Sequence, residues 1–541
     1  MHPLHLGVND VPSTPAALCY GLQQAMLCIS SLLVYPLIVS DVVCAGAAAV
    51  QLRVQLIAAT FVTCGLATIL QTTFGLRLST LQGPAMAFLP PLLAYQSQHS
   101  CPYGPLDEVP PELWHSRFQE IQGSLLLACV TFVVAGSTGL AGLLSKLVGP
   151  CTIVPLMLLL TTSIVPTVEA KLSLHWISLV MLACIILMAF YLENTRVSIP
   201  YFSFSKRSSM TITVRLFGQF PYLLSIATVW FICWLLTISD VEPVGGEART
   251  DKNMTVKMIR ESPWVQLPLP GAFGRFRLLP GLCAAYVASC FASVIENIGS
   301  YELLARTSCQ KPPPKNSVNR AIIFEGLGSM LAALLGVCTG VTTYAENIAL
   351  MHITKVASRR TMQFAGVILV FLGLFTKIAA ILAAIPDALV GGVLCVGVSM
   401  IGGVALSNLQ LVDLKVTRNL SVMGLAFVLG LVVPLHFEKN PLKTGSKDLD
   451  DVLSMLLSIK MLVGGVIGVI LDNTVPGATR DQRGFQATKF NEVDSDFDDD
   501  CGYRLPGSVN RLLSAIPALR YLPFLPSNIE PKEKMEKLSI A

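Results

Sequence analysis

The sequence predicts an all-α polytopic membrane protein, on three observations. Charged residues make up only 13% of the chain, against about 25% in soluble proteins. The apolar residues, 53% of the total, gather into blocks. Those blocks run from residue 16 to residue 470 with no soluble domain of useful size between them. About 18–23 apolar residues cross a bilayer as a helix. Residues 54–75, 123–147, 172–192, 217–238 and 364–385 meet that length. Counting blocks gives about 12 to 14 spans.

The first block, residues 16–39, follows a short polar N-terminus (1–13) without Lys or Arg. It is too long for a signal-peptide core and reads as an uncleaved first span. Four segments, 196–215, 306–320, 355–360 and 415–418, are basic and poor in acids. The positive-inside rule places them in the cytoplasm, with both termini. Loop 96–120 has Arg117 as its only Lys or Arg and goes outside. Loop 239–278 carries several basic residues, but the rule weakens for long loops. Its Asn253-Met254-Thr255 sequon agrees with an outside, glycosylated location.

A net charge of +4 with no basic tract gives no reason to expect nucleic acid. The fifteen cysteines are scattered without metal-ligand spacing, and Cys101 stands alone in its loop. No disulfide framework, metal or cofactor is therefore expected. No P-loop, HExxH, GxSxG or paired cysteines point to an enzyme. The glycine pairs 391–392, 402–403 and 464–465 lie in apolar blocks and read as helix-packing sites.

Two places make poor helices. Residues 78–91 contain Gly83, Pro84, Pro90 and Pro91; residues 339–354 open with Gly340 and a β-branched run. Unpaired backbone in lipid costs several kcal/mol per group, so irregular segments survive only under protein or beside a water-filled cavity. Broken segments at matching positions of two halves mark a transporter's binding site. Each of these is the third membrane element of its half, residues 14–238 and 279–474. Seven spans per half, an odd number, would make the repeats inverted; that rests on spacing alone. Residues 475–541, with an acidic run at 494–500 and many prolines, read as a mobile cytosolic tail.

Two carboxylates lie within membrane segments, Glu296 near the end of 279–299 and Glu346 in the second broken segment. A charge at the bilayer centre costs about 2.5–3.5 kcal/mol even on the permissive scale, so such groups usually face a cavity. The plainer reading is a membrane edge or a structural hydrogen bond. Glu346 with Asn347 would suit a planar ring edge, since one carboxylate accepts two parallel N–H bonds. Ser300 follows Glu296 by one helical turn if that helix continues. With Asn297 and Ser293 it offers oxygens to a small hard cation; ordinary interhelical hydrogen bonds are the alternative. Gln23 and Gln24 in the first span, and the lone His352, carry the same two readings.

The stretch from Tyr344 to Lys355, YAENIALMHITK, resembles the signature of the nucleobase–ascorbate transporter family. So do Glu296-Asn-Ile-Gly299, Pro312-Pro-Pro, Asn319-Arg320, Glu325-Gly326, Ser358-Arg-Arg360, residues 406–410, Gly149-Pro150 and residues 471–477. The likeness covers nearly all of the membrane region, and several motifs are similar to the animal branch that includes sodium-dependent ascorbate carriers. The resemblance implies about fourteen spans in two inverted repeats of seven. Spans 1–4 and 8–11 would form a core domain that moves like an elevator against a gate of spans 5–7 and 12–14, often in a homodimer. Substrate would lie between the broken spans, bonded by Glu296, selected by Glu346, and contacted by Gln82, Met86, Asn347 and backbone near Ala85 and Ala345. Glu at position 346, where ascorbate carriers have Pro, implies a nucleobase.

Four departures from the family pattern stand out: Gln24 replaces a first-span His, Met86 a pocket aromatic, and Ala349 the signature Gly. Ser300 stands where the family often has an Asp that serves cation coupling. The expectation is a plasma-membrane nucleobase transporter driven by Na+ or H+, with Gln24, Asn297 and Ser300 as coupling candidates. An Na+-dependent L-ascorbate transporter and a non-transporting sensor or scaffold remain alternatives.

Overall fold

Helices form where the apolar blocks lie, and prolines set many of their starts. The computed structural model describes residues 4–485 except 28, 105–106, 204–207, 244, 441 and 443, together with 502–507, 509 and 522–525. In the first half come α1 (Thr14–Leu27), α2 (Ile29–Val42), α3 (Ala49–Thr73), strand β1 (Gln82–Pro84), α4 (Leu89–Gln98), α5 (Pro111–Ser137), α6 (Leu140–Leu147), α7 (Pro150–Leu172) and α8 (Ile177–Ile186). A hairpin of β2 (Val197–Ser203) and β3 (Ser208–Val214), then α9 (Leu216–Gln219) and α10 (Pro221–Ile238), complete it. After α11 (Asn253–Glu261) the second half has α12 (Pro280–Thr307), α13 (Lys315–Leu335), β4 (Val341–Thr343), α14 (Ala345–Thr354), α15 (Arg359–Leu374), α16 (Thr376–Ala383), α17 (Asp387–Leu409), α18 (Thr417–Lys439), α19 (Lys447–Ser458) and α20 (Lys460–Thr474). Helices α5, α7, α10 and α12 each open on proline, whose fixed φ suits the first helical position and whose missing N–H would have no partner there.

Among the described residues, eight helices are long and apolar enough to cross a membrane. Two bent pairs, α15–α16 at 81° and α19–α20 at 74°, raise the number to ten if each is one span. The continuous span expected over 364–385 is thus corrected to a broken one. Phe375 leaves the helix with ψ 83°, and Lys377 beyond it donates to the Arg260 carbonyl at 3.0 Å. Block 172–192 forms α8 followed by a single π-helical stretch, Leu187–Tyr191. The β2–β3 hairpin lies in a basic segment expected only as a loop, paired from Val197↔Val214 to Ser203↔Ser208.

The helices sort into two packing groups. Helices α1, α3, α5, α12, α13 and α15 pack mainly on one another, as do α7, α8, α17, α18 and α20. Gly391 and Gly392 press against the end of α7 and against α8, and Gly464 and Gly465 against α7. Gly402 and Gly403 do not fit the packing role read for them: a Cβ on Gly402 would meet nothing closer than 3.7 Å, and one on Gly403 nothing at all.

Cys101 is not alone: it forms a disulfide with Cys44, Cα–Cα 5.6 Å. Cys44 sits just past the end of α2. There the chain turns at φ 62° and meets the 99–110 loop, where Ala47 N–H donates to the Asp107 carbonyl at 3.0 Å. The tail is not free along its length. Arg483 bonds Asp472 at 2.8 Å, Phe485 lies against Gly149, and Tyr503 and Leu505 are buried. The acidic run 494–500 lies outside the described residues.

Candidate substrate site

The two broken segments meet. Strands β1 and β4 pair antiparallel, Gln82 with Thr343, Gly83 with Thr342 and Pro84 with Val341. Two further backbone bonds extend the pairing, Ala85 N–H to the Gly340 carbonyl at 2.9 Å and Tyr344 N–H to the Leu81 carbonyl at 3.0 Å. The irregular backbone of each segment is therefore satisfied by the other, as a low-dielectric setting requires. Glycine makes the approach possible on both sides. A Cβ on Gly83 would collide with the Tyr344 ring, and one on Gly340 with the Phe88 ring. Beyond the strands, α4 and α14 run away from the crossing without side-chain caps at their N-termini.

Behind the crossing lies a hydrogen-bonded hub around Glu325, which is 1% exposed. Thr343 Oγ1 donates to Glu325 Oε1 at 3.0 Å and Gln82 Nε2 to the same oxygen at 3.4 Å; Asn297 Nδ2 donates to Oε2. The Asn297 carbonyl oxygen accepts from Thr342 Oγ1 at 2.7 Å. The hub ties α12, α13, β1 and β4 together, and it holds Gln82 and Asn297. Asn347 is likewise engaged: it donates to Gln24 Oε1 at 2.9 Å and accepts from Leu81 N–H at 3.3 Å.

Glu296 and Glu346 are different. Both are only partly buried, and Glu296 Oε2 is enclosed with no hydrogen-bond partner in the protein. An enclosed polar atom left unpaired costs about 1–3 kcal/mol, more if charged. The two carboxylates lie within electrostatic reach of each other. Tyr35 of α2, beside Thr339, lies within electrostatic reach of Glu296, and Tyr222 of α10 within electrostatic reach of Glu346. Glu346 stands in the first turn of α14, where the helix dipole favours negative charge.

Helix α12 continues without a break to Thr307, so Ser300 does lie one turn beyond Glu296, and it is buried. Met86 is partly buried at the start of the turn leading into α4. The Ala85 N–H is occupied by Gly340, so that amide is not open to a ligand as expected. Ala345 opens α14; its side chain, and those of Ala349, His352 and the sequon Asn253, fall outside the described residues. Sequence reading missed three groups. Glu325 was available as a lone carboxylate in the apolar stretch of α13. Tyr35 and Tyr222 had no local signal, because they reach the site from other spans.

An apolar bundle whose broken segments pair with each other beside two carboxylates, one with an enclosed unpartnered oxygen, has the layout of a carrier. Residues 15–439 match Xan_ur_permease, a permease family, which makes the chain a multi-pass membrane transporter and not an enzyme. It belongs to the nucleobase–ascorbate transporter family, solute carrier family 23. Solute carrier family 23 member 2 of Rattus norvegicus is 35% identical over 540 residues, covering 96% of this chain and 82% of that one. Member 1 of the same species is 36% identical over 498 residues, covering 88% and 81%. Nucleobase-ascorbate transporter 12 of Arabidopsis thaliana is 29% identical over 540 residues, covering 88% and 71%.

Proposed function

We propose that the protein takes up nucleobases such as uracil, hypoxanthine or xanthine across the plasma membrane, coupled to Na+ or H+. The observation that carries this reading is the pair Glu296 and Glu346: two neighbouring carboxylates at the crossing of the broken segments, one with an enclosed oxygen awaiting a donor. A nucleobase edge supplies N–H donors in the parallel geometry a carboxylate accepts. The printed name of the Arabidopsis relative is in keeping with such a cargo.

The two packing groups support an elevator in which α1–α5 and α12–α15 carry substrate past α7–α10 and α17–α20. Tyr222 would then be the second group's contact to bound substrate. Both termini would be cytoplasmic, Asn253 glycosylated outside, and the working unit a homodimer. The coupling ion would bind near Ser300, or the coupling proton at Glu296. A second reading, Na+-dependent L-ascorbate transport, is favoured by the animal-branch resemblance.

The test is uptake of labelled uracil, hypoxanthine, xanthine and ascorbate in low-background cells, with sodium present or replaced. Nucleobase uptake supports the proposal, and its sodium response separates Na+ from H+ coupling. Ascorbate uptake alone selects the second reading. No uptake of any, with protein at the surface, rejects both and favours a sensor or scaffold.

A further inference from the structure

A second polar site lies on the face where the chain's N-terminal segment meets the start of α15. Leu6 bridges Val356 there, and Ala357 N–H donates to the Leu6 carbonyl at 2.8 Å. Between this segment, the end of α3 and residue 506 opens a cleft of about 260 Å³. Its polar lining includes Asn9, Asp10, Thr73, Arg77, Arg359, Arg360 and Gln363. A fourth guanidinium, Arg320, stands within electrostatic reach of Arg77.

Among the described residues, no ion pair joins any of the four arginines to a carboxylate. Their partners are neutral oxygens. Arg359 donates to the Arg77 carbonyl at 2.7 Å, the Gly502 carbonyl at 2.7 Å and Asn9 Oδ1 at 3.2 Å. Arg320 donates to the Gly75 carbonyl at 2.8 Å and the Tyr503 carbonyl at 3.0 Å. Arg77 spends one terminal nitrogen on the Thr73 carbonyl at 2.8 Å, but its Nε is enclosed with no partner. The one carboxylate in the cleft, Asp10, accepts from Gly7 N–H at 2.7 Å. Arg77 also holds a left-handed backbone, φ 64°, which costs a non-glycine residue roughly 1–3 kcal/mol. Burial and the charges of Arg359 and Arg320 push its guanidinium down to about 9. An anion in the cleft would offset the repulsion among these guanidiniums.

We propose that this cleft binds a phosphate group, either free on a soluble molecule or carried by an anionic lipid headgroup. The guanidinium fork matches phosphate oxygens two at a time. Basic clusters at the cytoplasmic surface recognise phosphorylated headgroups in this way. All its elements belong to one packing group, α3, α13 and α15 with the N-terminal segment, so the site would travel with that group as a unit. The proposal does not depend on which solute the protein carries.

The experiment measures thermal unfolding of the full chain, first in detergent with inorganic phosphate or inositol hexakisphosphate against chloride at equal ionic strength. It then uses nanodiscs of phosphatidylcholine alone or with phosphatidylinositol 4,5-bisphosphate. The expected result is a rise of about 2 °C or more in the midpoint with a phosphate-bearing probe. The rise should be lost in Arg77→Gln/Arg360→Gln and reduced in Arg360→Gln alone, whose exposed side chain leaves folding intact. A rise with the soluble probes identifies free phosphate; a rise only in the lipid-doped discs identifies the headgroup. No rise with any probe, or an equal rise in the double variant, overturns the proposal. So does a response seen only after Asp498, Asp499 and Asp500 are changed to Asn, because the cleft would then belong to the chain's own tail.

Discussion

Glu325 and Glu296 lie on adjacent helices of the same bundle, yet their surroundings differ in kind. Gln82, Asn297 and Thr343 donate to Glu325, Tyr301 hydrogen-bonds it as well, and the carboxylate is closed off from solvent. Glu296 keeps an enclosed oxygen with no donor and lies within electrostatic reach of a second carboxylate, Glu346. The hub spends its hydrogen bonds on fixing the crossing of β1 and β4. The outer face withholds its own, which is costly unless something else supplies the donors. The proposed division between scaffold and site rests on whether the protein satisfies that charge itself.

The comparison can be broken at either end. The largest effect is expected on transport. Glu296→Gln and Glu346→Ala should each reduce uptake of the carried solute to background, about 100-fold, as loss of charge-assisted bonds worth about 1.5–3 kcal/mol each implies. Surface biotinylation should remain at wild-type level, and wild-type uptake by either variant would remove that residue from the site. Glu325→Ala should behave in the opposite way. It strands Gln82, Asn297 and Thr343, for a loss of about 3 kcal/mol or more, and should appear as aggregated or poorly expressed protein on size-exclusion chromatography. A well-folded Glu325→Ala protein that fails only in uptake would move Glu325 from the hub into the site.

Cys44→Ser opens a disulfide spanning 57 residues, worth about 2–4 kcal/mol. Its unfolding midpoint should fall while the affinity for substrate stays unchanged; a changed affinity would couple that loop to the site. Ser300→Asp should give the smallest change in transport, an increase in the sodium dependence of uptake, read on protein whose surface level has been measured because the new carboxylate is buried. An unaltered sodium response would count against a cation beside Ser300.

Much of this was legible along the chain. The apolar blocks, the prolines at helix starts, and the glycines and prolines of the two broken segments are local signals with local causes. Glu296, Glu346 and the signature around Asn347 could be chosen because a polar group in an apolar run is conspicuous. The same rule was available for Glu325 within α13, where it served only as part of a motif. The hub partners of Gln82 and Asn297 were out of reach, since residue type says that a side chain can donate but not what lies 3 Å away.

The sequence by itself determined that the chain spans a membrane many times, where its two glycine- and proline-marked segments interrupt the helices, and to which family it belongs. Those properties follow from hydrophobic length, backbone chemistry and short motifs, each confined to neighbouring residues. Only the tertiary structure decided that the two breaks pair with each other, that Cys44 finds Cys101, that the span over 364–385 bends at Phe375, and which carboxylates stay unpaired. Each of these depends on groups distant in sequence that come together only once the helices pack, when burial makes every unmet hydrogen bond and charge count.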